Sequence, residues 1–567
     1  MKKSQHSILR YFHIWIITMF FSLPMQSQNP NWQWVNSMGG GYVDYLYDMK
    51  IDPQGNSFIT GLFYNTASFD TTSLSSAGNS DIYFAKLNAN GNVVWAKRAG
   101  GTGIDAGSGI CVDRNGSIFL TGSFGNVANF DSISLTNPLA SGEIFIAKYN
   151  AAGNVQWAKP AAQGVGYDNS KRVLVDSSGN IFIAGTYWDS TIIGNTTLHS
   201  NKNGSIVKYD IFLAKYNSSG NAVWATSFGG KQNESILGMT LTDDGSVYIV
   251  GTFSDTAYFD NYTLVSRGGS EIYIAKLNAT GHIIWAKSAG GINTSSPTYG
   301  ESALDIKIDA NSNLYIVGTF SSDTTYFDPQ ILISNTINGG SYIAKYDSAG
   351  NCIWVKQTAI GSVNTVAYGL CINSSDEVLM TGWFNGTANF GATTLVANSN
   401  DLFVCALDSL GNFLWAKQSM GNGNAGTYGI SIAVDSFDKI YIGGQYQQGT
   451  TSFGPSTITC SGLVYSDVFV VNMDNGTTGL TQANVSYESI DISPNPFAIQ
   501  AILSFKHTLN KASILLYNSF GQIVQHLESV SGNYIPLYRE KLGPGLYLLQ
   551  INEKDRNFKP VRMVIVD

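Results

Sequence analysis

The chain has 567 residues, of which 44% are apolar, 12% aromatic and 13% charged, with 60 glycines. That apolar content excludes disorder for most of the chain, and the abundance of Gly, Asn, Ser and Thr argues against long helices. Its 32 basic and 40 acidic residues give a net charge of -8, without the clustered Lys and Arg that a nucleic-acid partner requires.

Residues 1–28 read as an export signal. Lys2, Lys3 and Arg10 are its charged region, Ile14 to Leu23 is a short apolar run, and Pro24 breaks it before Gln26, Ser27 and Gln28. The run is too short for a transmembrane helix, which takes about 20 residues, and no later stretch is apolar enough to span a bilayer.

Residues 29–474 carry a repeat. Trp34, Trp95, Trp157, Trp224, Trp285, Trp354 and Trp415 are spaced by 61, 62, 67, 61, 69 and 61 residues. Each unit holds four strand signals. In the unit that starts at Gly100 these are Ile110 to Asp113, Ile118 to Phe124, Glu143 to Tyr149, and the Trp-bearing Asn154 to Lys159. Asp-Arg-Asn-Gly and Asn-Ala-Ala-Gly-Asn supply the turns. Four short strands joined by tight hairpins are the sequence form of a propeller blade. The longer link between strands two and three carries a recurring aromatic (Phe69, Phe130, Phe259, Phe327, Phe390, Phe453) expected to tuck back under its hairpin.

The strand count predicts the topology. Strands one, two and three occur seven times, but the Trp strand follows only the first six, and Trp34 stands before the first unit. The fold class is therefore all-β: a seven-bladed β-propeller closed by the N-terminal strand, which leaves no open sheet edge. The repeats resemble the bacterial β-propeller repeats known as SBBP repeats, through Gly-Gly, an acid, an apolar-Asp-x-x-Gly-Asn turn and Thr-Gly. The Asn-x-x-Gly-Asn-x-x-Trp phrase also looks like the Trp motif of quinoprotein propellers and the Asp-box of sialidases, both devices for packing a Trp on a turn.

Residues 475–488 are a small polar linker, and 489–567 alternate with period two between Gly and Pro turns, as in a small β-sandwich. Pro494-Asn495-Pro496, the Tyr517 to Gly521 turn and Gly545-Leu546-Tyr547 resemble the type A C-terminal sorting domain of the type IX secretion system of Bacteroidetes. The resemblance implies that residues 489–567 engage that machinery, and that the protein crosses the outer membrane to the cell surface or the medium. With the charges of leader, linker and tail set aside, residues 29–474 keep 21 basic and 33 acidic residues, a net of -12.

Chemistry is sought against the repeat background. His is nearly absent from the propeller, no HExxH, Walker loop or nucleophile elbow is present, and the five Cys read as small buried hydrophobes. Eight residues before the end of strand one stand Asp44, Asp105, Asp168, Glu234 and Glu301, with Thr365 and Thr427 in the last two units. With strand one innermost, these reach the channel mouth, where they could hold a divalent cation, or they accept hydrogen bonds from their own turns. Alternation puts a second, variable pair on the channel face: Asp48 and Lys50, Arg172 and Leu174, Asp305 and Lys307. Trp188 and Trp383, after strand two, are candidates for stacking on sugars.

The expected protein is an exported, monomeric, non-catalytic propeller that needs no cofactor and binds a glycan or protein or serves as a scaffold. The alternative is a glycan hydrolase or lyase using channel-mouth carboxylates, because two carboxyl groups suffice for glycoside hydrolysis.

Overall fold

The computed structural model describes residues 30–137, 142–203, 206–292, 300–334, 339–361, 364–422, 426–460, 466–474, 487–488, 490–518, 523–553, 556–558 and 561–566. The leader at 1–28, residues 475–486 of the linker, and Gly521 lie outside them. Contacts divide the chain into two units, Met1–Thr477 and Thr478–Asp567. Both are all-β, and among the described residues no helix is long and apolar enough to cross a membrane.

Short polar side chains shape each repeat. In one unit, Ala106–Val112, Ile118–Phe124, Glu143–Tyr149 and Val155–Gly164 pair in sequence as antiparallel neighbours. The first turn is organised by Asp113, whose Oδ1 accepts the N–H groups of Asn115 and Ser117 at 2.9 and 2.8 Å. Asn150 does the same for Ala152 and Asn154 at 3.0 Å. Such a carboxylate or amide takes the place of a backbone acceptor and fixes the reversal.

The same order recurs from the first strands Asp44–Ile51, Asn169–Val175, Ser235–Leu241, Ser302–Ile308, Thr365–Ile372 and Gly426–Val434. The last of these sheets also contains Ile440–Gln447 and Ser466–Met473, and its outer position is filled by Trp32–Gly40. Val35 lies opposite Val471 and Asn36 opposite Val470. Successive first strands pack on one another, and Gly426–Val434 packs on Asp44–Ile51. There Ser436 Oγ donates to the Pro53 carbonyl at 2.7 Å and Ser431 Oγ to that of Met49 at 3.3 Å.

Three sequence features stitch neighbouring sheets. Six of the seven repeat Trp residues lie over the glycine of the next unit's turn, among them Trp34 over Gly91, Trp95 over Gly153, Trp224 over Gly281 and Trp354 over Gly411. These glycines have positive φ, so any side chain there meets both a strained backbone and an indole. The indole N–H of Trp34 donates to the Ala89 carbonyl at 3.2 Å, and that of Trp224 to the Ala279 carbonyl at 3.1 Å. The recurring Phe is buried in all six hairpins and packs on an aromatic of strand three, as in Phe130 on Phe145 at 4.7 Å and Phe390 on Phe403 at 5.0 Å.

Gly-Gly ends the Trp strand and pairs with the hairpin of the following unit, as Gly100 and Gly101 do with Asn129 and Ala128. A Cβ on Gly101 would stand 1.8 Å from the Val127 carbonyl oxygen, so the close backbone approach demands glycine. Gly101→Val should therefore lower stability by about 3 kcal/mol, read as a drop in the thermal midpoint of the purified protein. An unchanged midpoint would show that the hairpin is not held against the neighbouring sheet.

In the C-terminal unit the long strands Gln500–Tyr517 and Ile523–Tyr538 carry repeated register shifts. Gln500–Tyr517 pairs near its start with Ile490–Ser493 and near its end with Gly545–Glu553. Leu503, Leu516, Leu537, Leu549 and Met563 share one buried cluster. The strands of this unit belong to one hydrogen-bonded sheet, and the register shifts mark bulges in the middle of the two long strands.

Candidate functional site

Every first strand carries a β-bulge. Pairing with strand two jumps between Leu46 and Asp48, Gly107 and Gly109, Ser170 and Arg172, Ile236 and Gly238, Ala303 and Asp305, Ala367 and Gly369, and Gly429 and Ser431. The residue skipped is Tyr47, Ser108, Lys171, Leu237, Leu304, Tyr368 or Ile430. All seven line a cavity of about 750 Å³ on which the seven first strands converge. A bulge re-aims one side chain. Strict alternation assigned these positions to the packed face, so the sequence reading missed Tyr47, Lys171 and Tyr368. Its signal was Lys171, which would otherwise be a cation in the core.

Asp48, Lys50, Arg172, Asp305 and Lys307 do line the cavity, as alternation predicts. Lys50 Nζ lies 2.7 Å from Asp48, and Lys307 Nζ lies 2.8 Å from both oxygens of Asp305. Each aspartate also reaches the neighbouring sheet. Asp48 Oδ2 accepts the Ile110 N–H at 3.1 Å and Asp305 Oδ2 the Leu370 N–H at 3.2 Å. Burial pushes Asp305 up, but Lys307, Arg172 and these N–H donors outweigh it and hold the carboxylate ionised, below its usual value.

The five mouth acids occupy a different place. Asp44, Asp105, Asp168, Glu234 and Glu301 are at most 1% exposed, and none lines the cavity. They accept turn N–H groups: Asp44 from Gly40 at 2.7 Å, Asp105 from Gly101 at 2.7 Å and Gly125 at 2.9 Å, Glu234 from Gly230 at 3.0 Å, Glu301 from Ser322 at 3.2 Å. Asp168 takes the Thr191 hydroxyl at 2.6 Å. The expected alternative to a rim, acids serving their own turns, describes these bonds, and it corrects their placement at an open mouth.

The sequence reading also missed their partners. Each acid faces a second acid that opens strand three of the preceding sheet: Asp467 for Asp44, Asp81 for Asp105, Glu143 for Asp168, Asp210 for Glu234, Glu271 for Glu301. A Cβ on Gly100 would stand 2.7 Å from Asp81 Oδ1 and 2.8 Å from Asp105 Oδ2, so glycine is wedged between the two carboxyls. The signal was an acid–apolar–aromatic phrase, as in Asp81-Ile82-Tyr83 and Glu271-Ile272-Tyr273. Where the acid of strand one is Thr365, its partner is Ser341, hydroxyl to hydroxyl at 3.1 Å.

Burial is the main force on these groups, and like charge adds to it. Asp44 is pushed up to about 8 by burial and then by Asp467. Glu234 is pushed to about 9 by burial and Asp210, Asp168 to about 7 by burial and Glu143, and Asp105 to about 6 by burial and Asp81. Glu301 is raised by burial. Asp44 and Glu234 therefore hold a proton at neutral pH, and Asp168 titrates there. Among the described residues no group of three or more His, Cys, Asp or Glu is arranged to hold a metal.

Trp188 and Trp383 are half-buried and packed on Tyr209 at 5.0 Å and Tyr428 at 5.8 Å. Cys111, Cys352, Cys371 and Cys405 are buried free thiols, as small apolar residues would be, whereas the fifth cysteine, Cys460, is only half-buried.

In the C-terminal unit, Asn495, between Pro494 and Pro496, holds the final strand by its side-chain amide. Its Oδ1 accepts the Val564 N–H at 2.9 Å and its Nδ2 donates to the Arg562 carbonyl at 3.0 Å. Tyr547, two residues after Gly545, donates its hydroxyl to the Gly543 carbonyl at 2.7 Å. Residues 491–566 match the family described as Secretion system C-terminal sorting domain. The C-terminal unit carries a type IX sorting domain. The protein is therefore exported across the outer membrane to the cell surface or the extracellular space, and the sorting domain implies interaction with the secretion machinery.

The chain also has curated relatives of low identity. An uncharacterized WD repeat-containing protein, L264, of Acanthamoeba polyphaga mimivirus is 25% identical over 503 residues, covering 75% of this chain and 35% of that protein. The regulatory protein FlaEY of Caulobacter vibrioides is 26% identical over 381 residues, covering 60% of this chain and 37% of that protein. The chain thus spans about a third of the length of the curated relatives it matches. A solved protein from Lactobacillus plantarum aligns over 72% of this chain and 98% of its own with 11% identity and a TM-score of 0.38.

Proposed function

We propose that the repeats, of the SBBP kind, form a seven-bladed propeller closed by Trp32–Gly40, and that this body is a non-catalytic binding or scaffold module delivered outside the cell. Closure is supported by the pairing of Trp32–Gly40 with Ser466–Met473 and the packing of the last first strand on the first. The residues 1–28 leader and the sorting domain together supply export from the cytoplasm, with residues 489–567 as the segment the type IX machinery reads.

One observation carries the non-catalytic reading: the carboxylates of the cavity are already engaged. Asp48 and Asp305 are each bonded to a lysine and to a backbone N–H of the adjacent sheet. A glycosidase needs two carboxyl groups facing its substrate, one of them free to give a proton. The acids whose pKa values suit that task, Asp105 and Asp168, are buried and bonded to backbone N–H groups at strand ends.

The test is to incubate the purified protein with a panel of neutral and acidic polysaccharides, following new reducing ends, unsaturated products and retention on the insoluble polymer. Retention without product is the expected result. Turnover that disappears in Asp105→Asn or Asp168→Asn would overturn the reading in favour of a secreted glycan hydrolase or lyase.

A further inference from the structure

We propose that the cavity on which the first strands converge is a binding site for an acidic saccharide, whose carboxylate or sulfate is held by Lys171 and Arg172. The inference deepens the binding reading above and rests on it.

Charge is the first argument. Of the four cations in the cavity wall, Lys50 and Lys307 are neutralised by Asp48 and Asp305. Both aspartates are further engaged by backbone N–H groups, from Met49 and Ile110 on Asp48 and from Ile306 and Leu370 on Asp305. Lys171 and Arg172 remain, adjacent in sequence and brought to the same wall by the bulge. Arg172 Nη1 donates to the Lys171 carbonyl at 3.2 Å; Arg172 acts on Asp305 through its field alone, and among the described residues neither side chain is within ion-pair distance of a carboxylate. Burial, and then Arg172, pull Lys171 below its ordinary value, so the two cations oppose each other until an anion joins them. This surplus sits in a repeat region, residues 29–474, that carries a net charge of -12, where chance placement would favour acids.

Shape and lining select the rest of the ligand. A volume of about 750 Å³ falls within the range of small-molecule sites, roughly 300–1,000 Å³, and far exceeds an inorganic anion. The same wall holds the rings of Tyr47 and Tyr368 and the hydroxyls of Ser108, Thr240 and Ser431. Ring faces suit the C–H surface of a sugar, hydroxyls suit its polar edge, and the guanidinium fork suits a planar carboxylate or a sulfate.

Isothermal titration of the full chain with trigalacturonate, maltotriose and sodium sulfate tests this. Trigalacturonate should bind at least about tenfold more tightly than the other two, and more weakly as salt rises. K171Q/R172Q should weaken it by about tenfold or more, the range expected for a lost charge-assisted contact, while melting with the parent. Should the double variant melt early, K171Q and R172Q singly should each weaken binding by about threefold. Equal binding of maltotriose, equal binding of sulfate alone, or affinity unchanged in the variants overturns the proposal. If trigalacturonate fails while the protein is still retained on a neutral insoluble glycan, the ligand class falls and the binding reading stands. Turnover of the polysaccharide panel removes the binding reading itself.

Discussion

A chain that begins at Tyr42 should fail to accumulate as a folded monomer, although it keeps every first, second and third strand of the repeat. Trp32–Gly40 is the outer neighbour of Ser466–Met473, a strand whose residues are buried on both faces. Without it, Val468, Val470 and their backbone become an open hydrophobic edge, the usual route to edge-to-edge association. The loss also removes Met38 from the core, Trp34 from its seat on Gly91 and Tyr441, and the indole bond to Ala89. With Trp32, which packs on Phe453, three large side chains at about 1.5–3 kcal/mol each sum to about 5 kcal/mol or more, comparable to the whole stability of many domains. Size-exclusion chromatography should find the truncated chain aggregated, and a synthetic peptide of residues 30–41 should rescue it by strand addition. A truncated monomer melting within about 2 °C of the parent would show that the last sheet does not depend on its borrowed strand, and with it the closed ring would go.

The offset between the Trp strand and the other three was readable because it is a matter of counting: seven first strands, and only six Trp strands after them. The Trp and Phe contacts were readable as well, since an aromatic recurring at a fixed distance from a Gly-containing turn has to pack somewhere near it. Two things were hidden. A bulge is a backbone event without a residue signature of its own, so Tyr47, Lys171 and Tyr368 could be moved to the cavity only by the observed register. The carboxyl pairs were hidden because their members come from different units. Asp105 and Asp81 lie 24 positions apart and meet only when one sheet is laid on the next. The acids were thus found singly and placed on a rim, when each is one half of a buried joint. Gly521 and the leader show the converse, readable in sequence but outside the described structure.

The second large effect follows from those joints: the repeat domain should be most stable in mild acid and lose stability as the solution becomes alkaline. A carboxyl whose folded pKa is raised binds its proton more tightly when folded, so its contribution is complete below its unfolded value near 4 and is lost as pH rises through the folded one. For Asp105 that window closes near 6, for Asp168, Asp210 and Glu271 near 7, for Asp44 near 8 and for Glu234 near 9. The turn acids pull the other way. Burial pushes Asp347 and Asp408 up, but the N–H groups of their turns outweigh it and hold both low, so their contribution disappears only as pH falls below about 4. The two opposing sets place the maximum between about pH 4 and 6. From there to pH 9 the thermal midpoint should fall by about 10 °C or more, because several joints ionise together. D44N and E234Q, neutral at every pH, should each flatten the alkaline limb while leaving the acid limb alone. A midpoint that rises from pH 5 to pH 9 would mean that the joints do not hold protons, and that some cation compensates the charge between the sheets.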